Sequence, residues 1–487
     1  MNALTEKRYL TLPEPSAGDT LAARERLLAA LPEGCRLTLG CMQQLYPVLH
    51  EAGYRVTVTL CPGAGGTDVV RVEPGDTTDR NYGLCLDIGS TTMQMELVDL
   101  LSGKTLAEAA CTNSQTQFGA NILDRILAVK ENPDNLHTLQ ALTLDDVRQM
   151  IERCCAQAGV PPEAVSAMTV GGNTTMLHFF LGCDPWQVFQ SPYTPVFFDP
   201  GVLRASELGL PIAGNIFCMP AIANYLGGDI TSGLLMTDLD TREDLALFLD
   251  IGTNGEMALG NENGALCCAV ASGPAFEGAG ISCGMPGITG AVSHVSYDRG
   301  FLCDIVGGGE AKGICGSGLV DLVAVLLERG VIDESGRLLP PQDAPEDMRR
   351  YLTEDGQGNG VFHLTKAVSL TARDVRNLQL AKAAVAGGIR VLLEQRSVTA
   401  DDIASVELAG GFGNYLSPEN VVRIGMLPRA CLSKIRPLGN AALAGASMLA
   451  LDGENWRKLA EIPKKCRYLE LSGRDDFSRA FTDSLTF

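Results

Sequence analysis

The sequence predicts a layered α/β protein made of two related halves behind a smaller α/β unit. Three observations carry this reading. An apolar run ending in Asp-Ile-Gly and a hydroxyl residue is written twice, as "LCLDIGSTTMQMELVDL" from Leu84 and, 163 positions later, as "LFLDIGTNGEMALG" from Leu247. Strand-like and helix-like stretches alternate after each copy, the pattern of stacked sheet and helix layers. The 487 residues suggest roughly three domains at about 150 residues each.

Residues 1–80 form the first unit. "DTLAARERLLAALPEG" spaces Leu21, Leu27, Leu28 and Leu31 for a helix that Pro32 and Gly34 stop, and "TLGCMQQLYPVLHEAG" reads as a second helix ending at Gly53. Strand-like "YRVTVTL" and "DVVRVEP" flank a "PGAGG" turn, and the polar "EPGDTTDRN" reads as a linker. In the first half, residues 81–245, strands around Asp87 and in "LAEAACTNSQ" precede helices near "GANILDRILAVK" and "TLDDVRQMIERCCAQAG", then the strand "AVSAMTVGGNTTM". In the second half, residues 246–487, strands around Asp250 lead through "AVASGPAFEGAG" to a helix after "GICGSG". An insertion near 331–370, the helix "ARDVRNLQLAKAAVAGGIRVLLEQ" and the strand "SVELAGGFGNYL" follow.

The repeated phrase has a chemical reading. Each Asp closes an apolar strand, and the residues after it turn the chain sharply into a second strand. Glycine in such a turn lets backbone N–H groups approach a phosphate, while the hydroxyls of Ser90, Thr91, Thr92 and Thr253 can donate to its oxygens. The Asp would repel that anion unless Mg²⁺, or water ordered around it, lies between them. Two such turns facing a common cleft could hold one polyphosphate from both sides.

Three further glycine-rich elements suit the same site. "VGGNTT" and "ELAGGFGNYL" leave apolar strands, and "GICGSGLVDLVAVLLERG" puts Gly316, Ser317 and Gly318 at a helix N-terminus, where free N–H groups favour an anion. Close packing of strand on helix would also select glycine there.

Composition excludes other classes. With 58 acidic and 38 basic residues, the net charge of −20 opposes binding to nucleic acid or to an anionic membrane. The N-terminal "MNALTEKRYLTLPEP" has no signal-peptide core, and no apolar run approaches the roughly 18 residues of a membrane span, so a cytoplasmic protein is expected. The sixteen cysteines include no C-x-x-C pair, and many stand in apolar runs, as Cys85 does. They read as small buried hydrophobes in a reducing, anaerobic interior, and no iron–sulfur cluster is expected.

Together the duplicated D-I-G-S/T loops, "GGNTT", "ELAGGFG" and "GNAALAGA" resemble the superfamily of acetate and sugar kinases, heat-shock chaperone ATPases and actin. Within it, "LDIGTNGE", "SGPAFEGAGISCGM", "GICGSGLVDL" and the closing "YLELSGRDDFSRAFTDSLTF" resemble the ATPases that reductively activate corrinoid proteins. The resemblance covers about residues 80–487, and residues 1–80 look like the small middle domain of that family. It implies duplicated ribonuclease H-like, actin-like halves around a nucleotide cleft, with ATP and Mg²⁺ as cofactors. Members usually begin with a ferredoxin-like domain, and this chain begins after the point where that domain would end. The implied partners are therefore a corrinoid protein and a separate electron-donor protein, and a homodimer is admitted as the assembly.

Roles follow from position within the resemblance. Asp87 and Asp250 are the candidates for Mg²⁺ and water positioning, with Gly89, Ser90, Thr91, Gly252, Thr253 and Asn254 around the phosphates. Glu256 and Glu277 are candidates for orienting the attacking water. Gly172 and Asn173 are placed at the terminal phosphate, and Gly316, Ser317, Gly410 and Gly411 on the nucleoside side. Asp229 reads as a helix cap or an acceptor-side base, and His178, in "MLHFFLG", as a packed core residue. The implied activity is ATP-dependent reduction of Co(II) to Co(I). A small-molecule kinase and a nucleotide-switched binding protein are the alternatives.

Overall fold

The structure, a computed structural model, describes residues 2–119, 121–239, 241–410 and 416–487. The chain forms two compact units, one of residues 1–236 with 441–464 and one of residues 237–440 with 465–487. The first 80 residues thus share a compact unit with the first of the repeated halves.

In the first unit, a four-stranded sheet orders Glu6–Thr11, Arg55–Gly63, Gly66–Pro74 and Cys35–Leu37. The helix Leu39–Glu51 packs on it: Thr38 caps it by accepting the Cys41 N–H, and Cys41, Leu45 and Leu49, spaced by four, form its buried face. The strands Glu6–Thr11 and Cys35–Leu37 are too short and polar to stand out in the sequence. A buried network ties this sheet to its neighbour. The Thr5 and Ser166 hydroxyls lie 2.7 Å apart, and Asn81 Nδ2 donates to Thr5 O at 3.0 Å.

The larger sheet of this unit orders Thr105–Thr112, Thr92–Asp99, Tyr82–Ile88, Val165–Gly172, Asn215–Cys218 and Val202–Arg204. Tyr82–Ile88 runs antiparallel to Thr92–Asp99 and parallel to Val165–Gly172, which in turn runs parallel to Asn215–Cys218. Leu84, Cys85, Leu86 and Ile88 are fully buried, as expected for a central strand covered on both faces. The helix Asn135–Ala158 begins eight residues before the stretch that the sequence marks out, because "NLHTLQAL" continues its buried face through Leu139 and Thr143.

The second unit repeats the plan. Its sheet orders Ile435–Gly439, Ile403–Ala409, Leu245–Ile251, Gly255–Asn261, Gly264–Val270 and Cys466–Tyr468. Leu245–Ile251 is antiparallel to Gly255–Asn261 and parallel to Ile403–Ala409. Counting from the D-I-G strand, both sheets therefore share the order third, second, first, fourth, and each phrase occupies the same first hairpin; beyond the fourth strand the first sheet places its sixth strand and then its antiparallel fifth, the second sheet its parallel fifth. The helix Ala372–Arg396 opens with a capping box in which Thr371 and Asp374 exchange side-chain and backbone hydrogen bonds. The insertion carries a small sheet of Leu352–Glu354, Gly360–His363 and Ser369–Thr371.

The helix Ala441–Leu451, which holds "ALAGA", belongs to the first unit. Its small residues permit close approach. A Cβ on Gly445 would stand 2.4 Å from Ser232 O, and Thr169 Oγ1 donates to Ala446 O at 2.9 Å. Among the described residues no helix is long and apolar enough to cross a membrane.

Candidate functional site

The first phrase turns at the end of a central strand. Asp87 pairs with Gln94 and Ile88 with Met93, so Gly89, Ser90, Thr91 and Thr92 make the connection. Gly89 has no alternative here, because a Cβ would lie 2.4 Å from Thr92 O. Three consecutive carbonyls of the turn face the protein. Asn113 Nδ2 donates to Gly89 O at 2.9 Å, Arg125 Nη2 to Ser90 O at 2.6 Å, and the Asn113 N–H to Thr91 O at 2.9 Å. With its acceptors engaged on the inner side, the turn keeps the half-buried Ser90 and the exposed Thr91 and Thr92 for its outer side.

Asn113 and Arg125 are fully buried, and the motif-based reading missed both. A signal for Arg125 was present: it stands four residues before Val129 on the buried face of the helix Ile122–Glu131, where an apolar side chain is expected.

The strand Val165–Gly172 brings its glycines alongside. Gly171 pairs with Asp87 and Gly172 with Ile88. Asn173 caps the helix Thr174–Leu181, its Oδ1 accepting the Met176 N–H at 2.9 Å. Asp87, Gly89, Ser90, Thr91, Gly172 and Asn173 thus collect at one end of the first unit's sheet. His178 is buried in the same helix, its Nδ1 within 2.7 Å of Thr174 O and its ring stacked on Phe197 at 4.1 Å, and burial lowers its pKa. It is a packed core residue. Asp229 stands one residue inside the helix Gly228–Met236, in its first turn, rather than at the cap.

In the second unit the turn is one residue shorter. Asp250 pairs with Glu256 and Ile251 with Gly255, leaving Gly252, Thr253 and Asn254, with the Gly252 N–H bonded to Asn254 O at 2.9 Å. Thr253 Oγ1 donates to Glu277 Oε2 at 2.8 Å, and the Ser272 hydroxyl lies 3.4 Å from Gly252 O and 3.3 Å from Thr253 O. Gly410, at a φ of +94°, closes the group: a Cβ there would stand 3.0 Å from Asp250 Oδ1. Asp250, Gly252, Thr253, Asn254, Glu256, Glu277 and Gly410 are therefore neighbours, while Gly411 lies outside the described residues.

The helix Gly316–Glu328 starts beside this group. A Cβ on Gly316 would meet Phe276 O at 1.8 Å and one on Gly318 would meet Val292 O at 2.2 Å, so close packing alone requires both glycines. Ser317 is buried with its hydroxyl donating to Ser293 O at 2.9 Å, which commits that hydroxyl to the fold.

The donor set is chemically hard. Carboxylates and hydroxyls suit Mg²⁺, which is ordinarily held by one or two carboxylates, with phosphate and water oxygens completing an octahedron. Asp87 and Asp250 each stand at a strand end beside a glycine turn, a carboxylate of the kind that Mg²⁺ takes. The cysteines suit packing instead. All sixteen are free thiols, ten of them buried, and burial pushes Cys61 and Cys218 up to about 12, where little metal-binding thiolate exists at neutral pH.

Comparison with known proteins agrees with this architecture over the whole length. Residues 244–487 match the family model for the C-terminal domain of RACo, the ASKHA domain, residues 82–242 the RACo middle region, and residues 1–79 the RACo linker region. The corrinoid activation enzyme RamQ of Eubacterium limosum is 31% identical over 419 residues, covering 83% of this chain and 70% of its own. The Co(II) methylated amine-specific corrinoid protein reductase of Methanosarcina barkeri is 26% identical over 443 residues, covering 83% and 77%. A solved structure of a reductive activator for corrinoid, iron–sulfur protein superposes with a TM-score of 0.89 at 35% identity, covering 100% of this chain and 79% of its own. The chain belongs to the RACo family.

Proposed function

We propose that this protein is an ATP-dependent reductive activator of a corrinoid protein. The observation that carries the reading is the repeated D-I-G hairpin, found at the same place in two sheets whose first four strands share one order, in a family whose relatives are named for corrinoid activation.

The chemistry has two parts. In the first, water attacks the γ-phosphorus of ATP, the bond to the bridging oxygen breaks, ADP leaves, and a carboxylate takes the water's proton. Glu277, aimed by Thr253, and Glu256, across from Asp250, are the candidates for that carboxylate. Magnesium would neutralise charge on the phosphates, and Asp87 in the first unit and Asp250 in the second are each a candidate to hold it, directly or through water. The turn at Gly89–Thr92 presents hydroxyls to the phosphates, and Gly172 and Asn173 stand beside it.

In the second part, one electron from a separate donor protein converts Co(II) of the partner to Co(I). Raising a one-electron potential by about 200 mV takes roughly 5 kcal/mol of differential binding, since 59 mV corresponds to about 1.4 kcal/mol. Nucleotide-driven shifts between two conformational states reach that order. ATP acts here by favouring the state that binds the reducible partner, and hydrolysis resets it.

The test mixes the protein with a Co(II) corrinoid protein and a low-potential one-electron donor and follows the Co(I) absorption with and without Mg²⁺-ATP. Co(I) forms only with ATP, and the signal is lost with Asp250→Asn. A phosphorylated sugar or short-chain acid in place of Co(I) would replace this reading with a small-molecule kinase, and nucleotide-dependent binding without either would replace it with a switched binding protein.

A further inference from the structure

Arg125 is a buried cation with neutral partners. Its side chain is fully buried; Nη2 donates to Ser90 O at 2.6 Å, Nε to Gly119 O at 3.1 Å, and Nη1 points at Gln115 Oε1 at 3.4 Å and Met176 Sδ at 3.7 Å. Among the described residues no carboxylate forms an ion pair with it, and Asp124 acts on it only at longer range. Arg26 and Lys7, also buried, differ: Arg26 Nη1 is 2.7 Å from Asp19, and Lys7 Nζ is 2.5 Å from Glu73. Burial without a counter-charge lowers the Arg125 pKa to about 10, which leaves the group charged at neutral pH.

A buried, unneutralised charge is costly. All its hydrogen bonds end on neutral acceptors, so none of them offsets the charge itself. The charge lies directly under the Gly89–Thr92 turn, whose carbonyls face inward and whose hydroxyl residues lie toward solvent. An anion on the outer side of that turn would see the guanidinium through one layer of backbone and no intervening water, where electrostatic attraction is strong.

We propose that Arg125 is a positioning residue that both fixes the Gly89–Thr92 turn and lends its charge to a phosphate-bearing ligand bound on the turn's outer face. The proposal rests on the nucleotide reading of that turn and adds a buried source of its phosphate affinity.

Titration calorimetry on the full chain separates charge from structure, with Mg²⁺-ATP, inorganic tripolyphosphate and adenosine as probes. Arg125→Gln weakens Mg²⁺-ATP and tripolyphosphate by about tenfold or more and leaves adenosine within about twofold. Arg125→Lys retains most of the phosphate affinity near pH 7. A lysine buried there has a lowered pKa, so its phosphate affinity falls between about pH 7 and 9 as the ammonium deprotonates, while the unsubstituted protein, whose guanidinium loses its proton only at about pH 10, stays flat over that range. That profile needs only the lysine variant, and a purely structural arginine would not produce it. The proposal is overturned by a flat profile in Arg125→Lys, by unchanged phosphate affinity in Arg125→Gln, or by equal losses for adenosine and tripolyphosphate. If the unsubstituted protein binds neither Mg²⁺-ATP nor tripolyphosphate, the nucleotide reading falls together with this one; if it does bind them, any failure belongs to Arg125 alone.

Discussion

Asp250 and Glu256 stand directly opposite each other on neighbouring antiparallel strands, whereas the residue opposite Asp87 is the neutral Gln94. The duplicated hairpins are therefore electrostatically unequal at this cross-strand pair, which carries two carboxylates in the second and one in the first. A carboxylate pair can hold a cation and still leave an oxygen for a proton, which an acid and amide pair cannot do as well.

This inequality leads to the first prediction. Asp250→Asn nearly preserves volume and removes one charge, so ATP turnover falls by about a hundredfold or more while the thermal midpoint changes little. Glu256→Gln lowers turnover less if Glu277 is the group that orients water. Phosphate release and a thermal melt on each purified variant check both statements. Wild-type turnover in Asp250→Asn would falsify the metal assignment.

The Thr253 to Glu277 hydrogen bond of 2.8 Å supports a second prediction. Thr253→Val removes the donor that aims the carboxylate, in an exposed setting where such a bond contributes about 0.5–1.5 kcal/mol. Stability is nearly unchanged and turnover falls by roughly tenfold. Thr253→Ser keeps the donor and restores the rate. Equal rates for the valine and serine variants count against any role for this contact.

Much of this was legible in the sequence, for reasons that particular residues make plain. The two hairpins show because each D-I-G follows a run such as Leu84 to Leu86 that only a buried strand explains, and the helix Ala372–Arg396 shows because Thr371 and Asp374 mark its start. Sheet order does not show. Tyr82–Ile88 pairs with Val165–Gly172 across two helices and a hairpin, and Ala441–Leu451 returns to the first unit, contacts set by tertiary packing rather than local pattern. The buried Arg125 shows only through its spacing from Val129 on an apolar helix face, which no motif marks, and nothing local reveals that the Ser317 hydroxyl is spent on Ser293.

Lys382 yields a pH-dependence. It is almost fully buried in the helix Ala372–Arg396, bonded to the Thr486 carbonyl and 5.2 Å from the Phe487 ring, and desolvation lowers its pKa to about 8. The unfolded chain holds that proton up to about pH 10.4. Between these values the unfolded state binds more protons, so stability rises with pH from about 8 to 10 and is lower by about 3 kcal/mol below that window. Lys382→Met removes the rise and raises the midpoint at pH 7. Urea melts of both proteins from pH 7 to 10 check the sign, and a rise of equal size in Lys382→Met would assign it to other groups.

Gly410 tests whether the second hairpin and the strand Ile403–Ala409 act as one site. Its φ of +94° is unfavourable for any side chain, and a Cβ would stand 2.9 Å from Ile251 O and 3.0 Å from Asp250 Oδ1. Gly410→Ala therefore combines a backbone cost of about 1–3 kcal/mol with displacement of the Asp250 carboxylate. Gly425→Ala serves as the control: it also has a positive φ, of +72°, but its Cβ would meet the Lys382 ammonium at 3.3 Å, away from the hairpin. Both variants should lose comparable stability, but only Gly410→Ala should lose Mg²⁺-dependent ATP turnover, and raising Mg²⁺ should recover part of it because the defect lies in how Asp250 is placed. Loss of turnover in both variants in proportion to their melting points would reduce Gly410 to a residue of the fold.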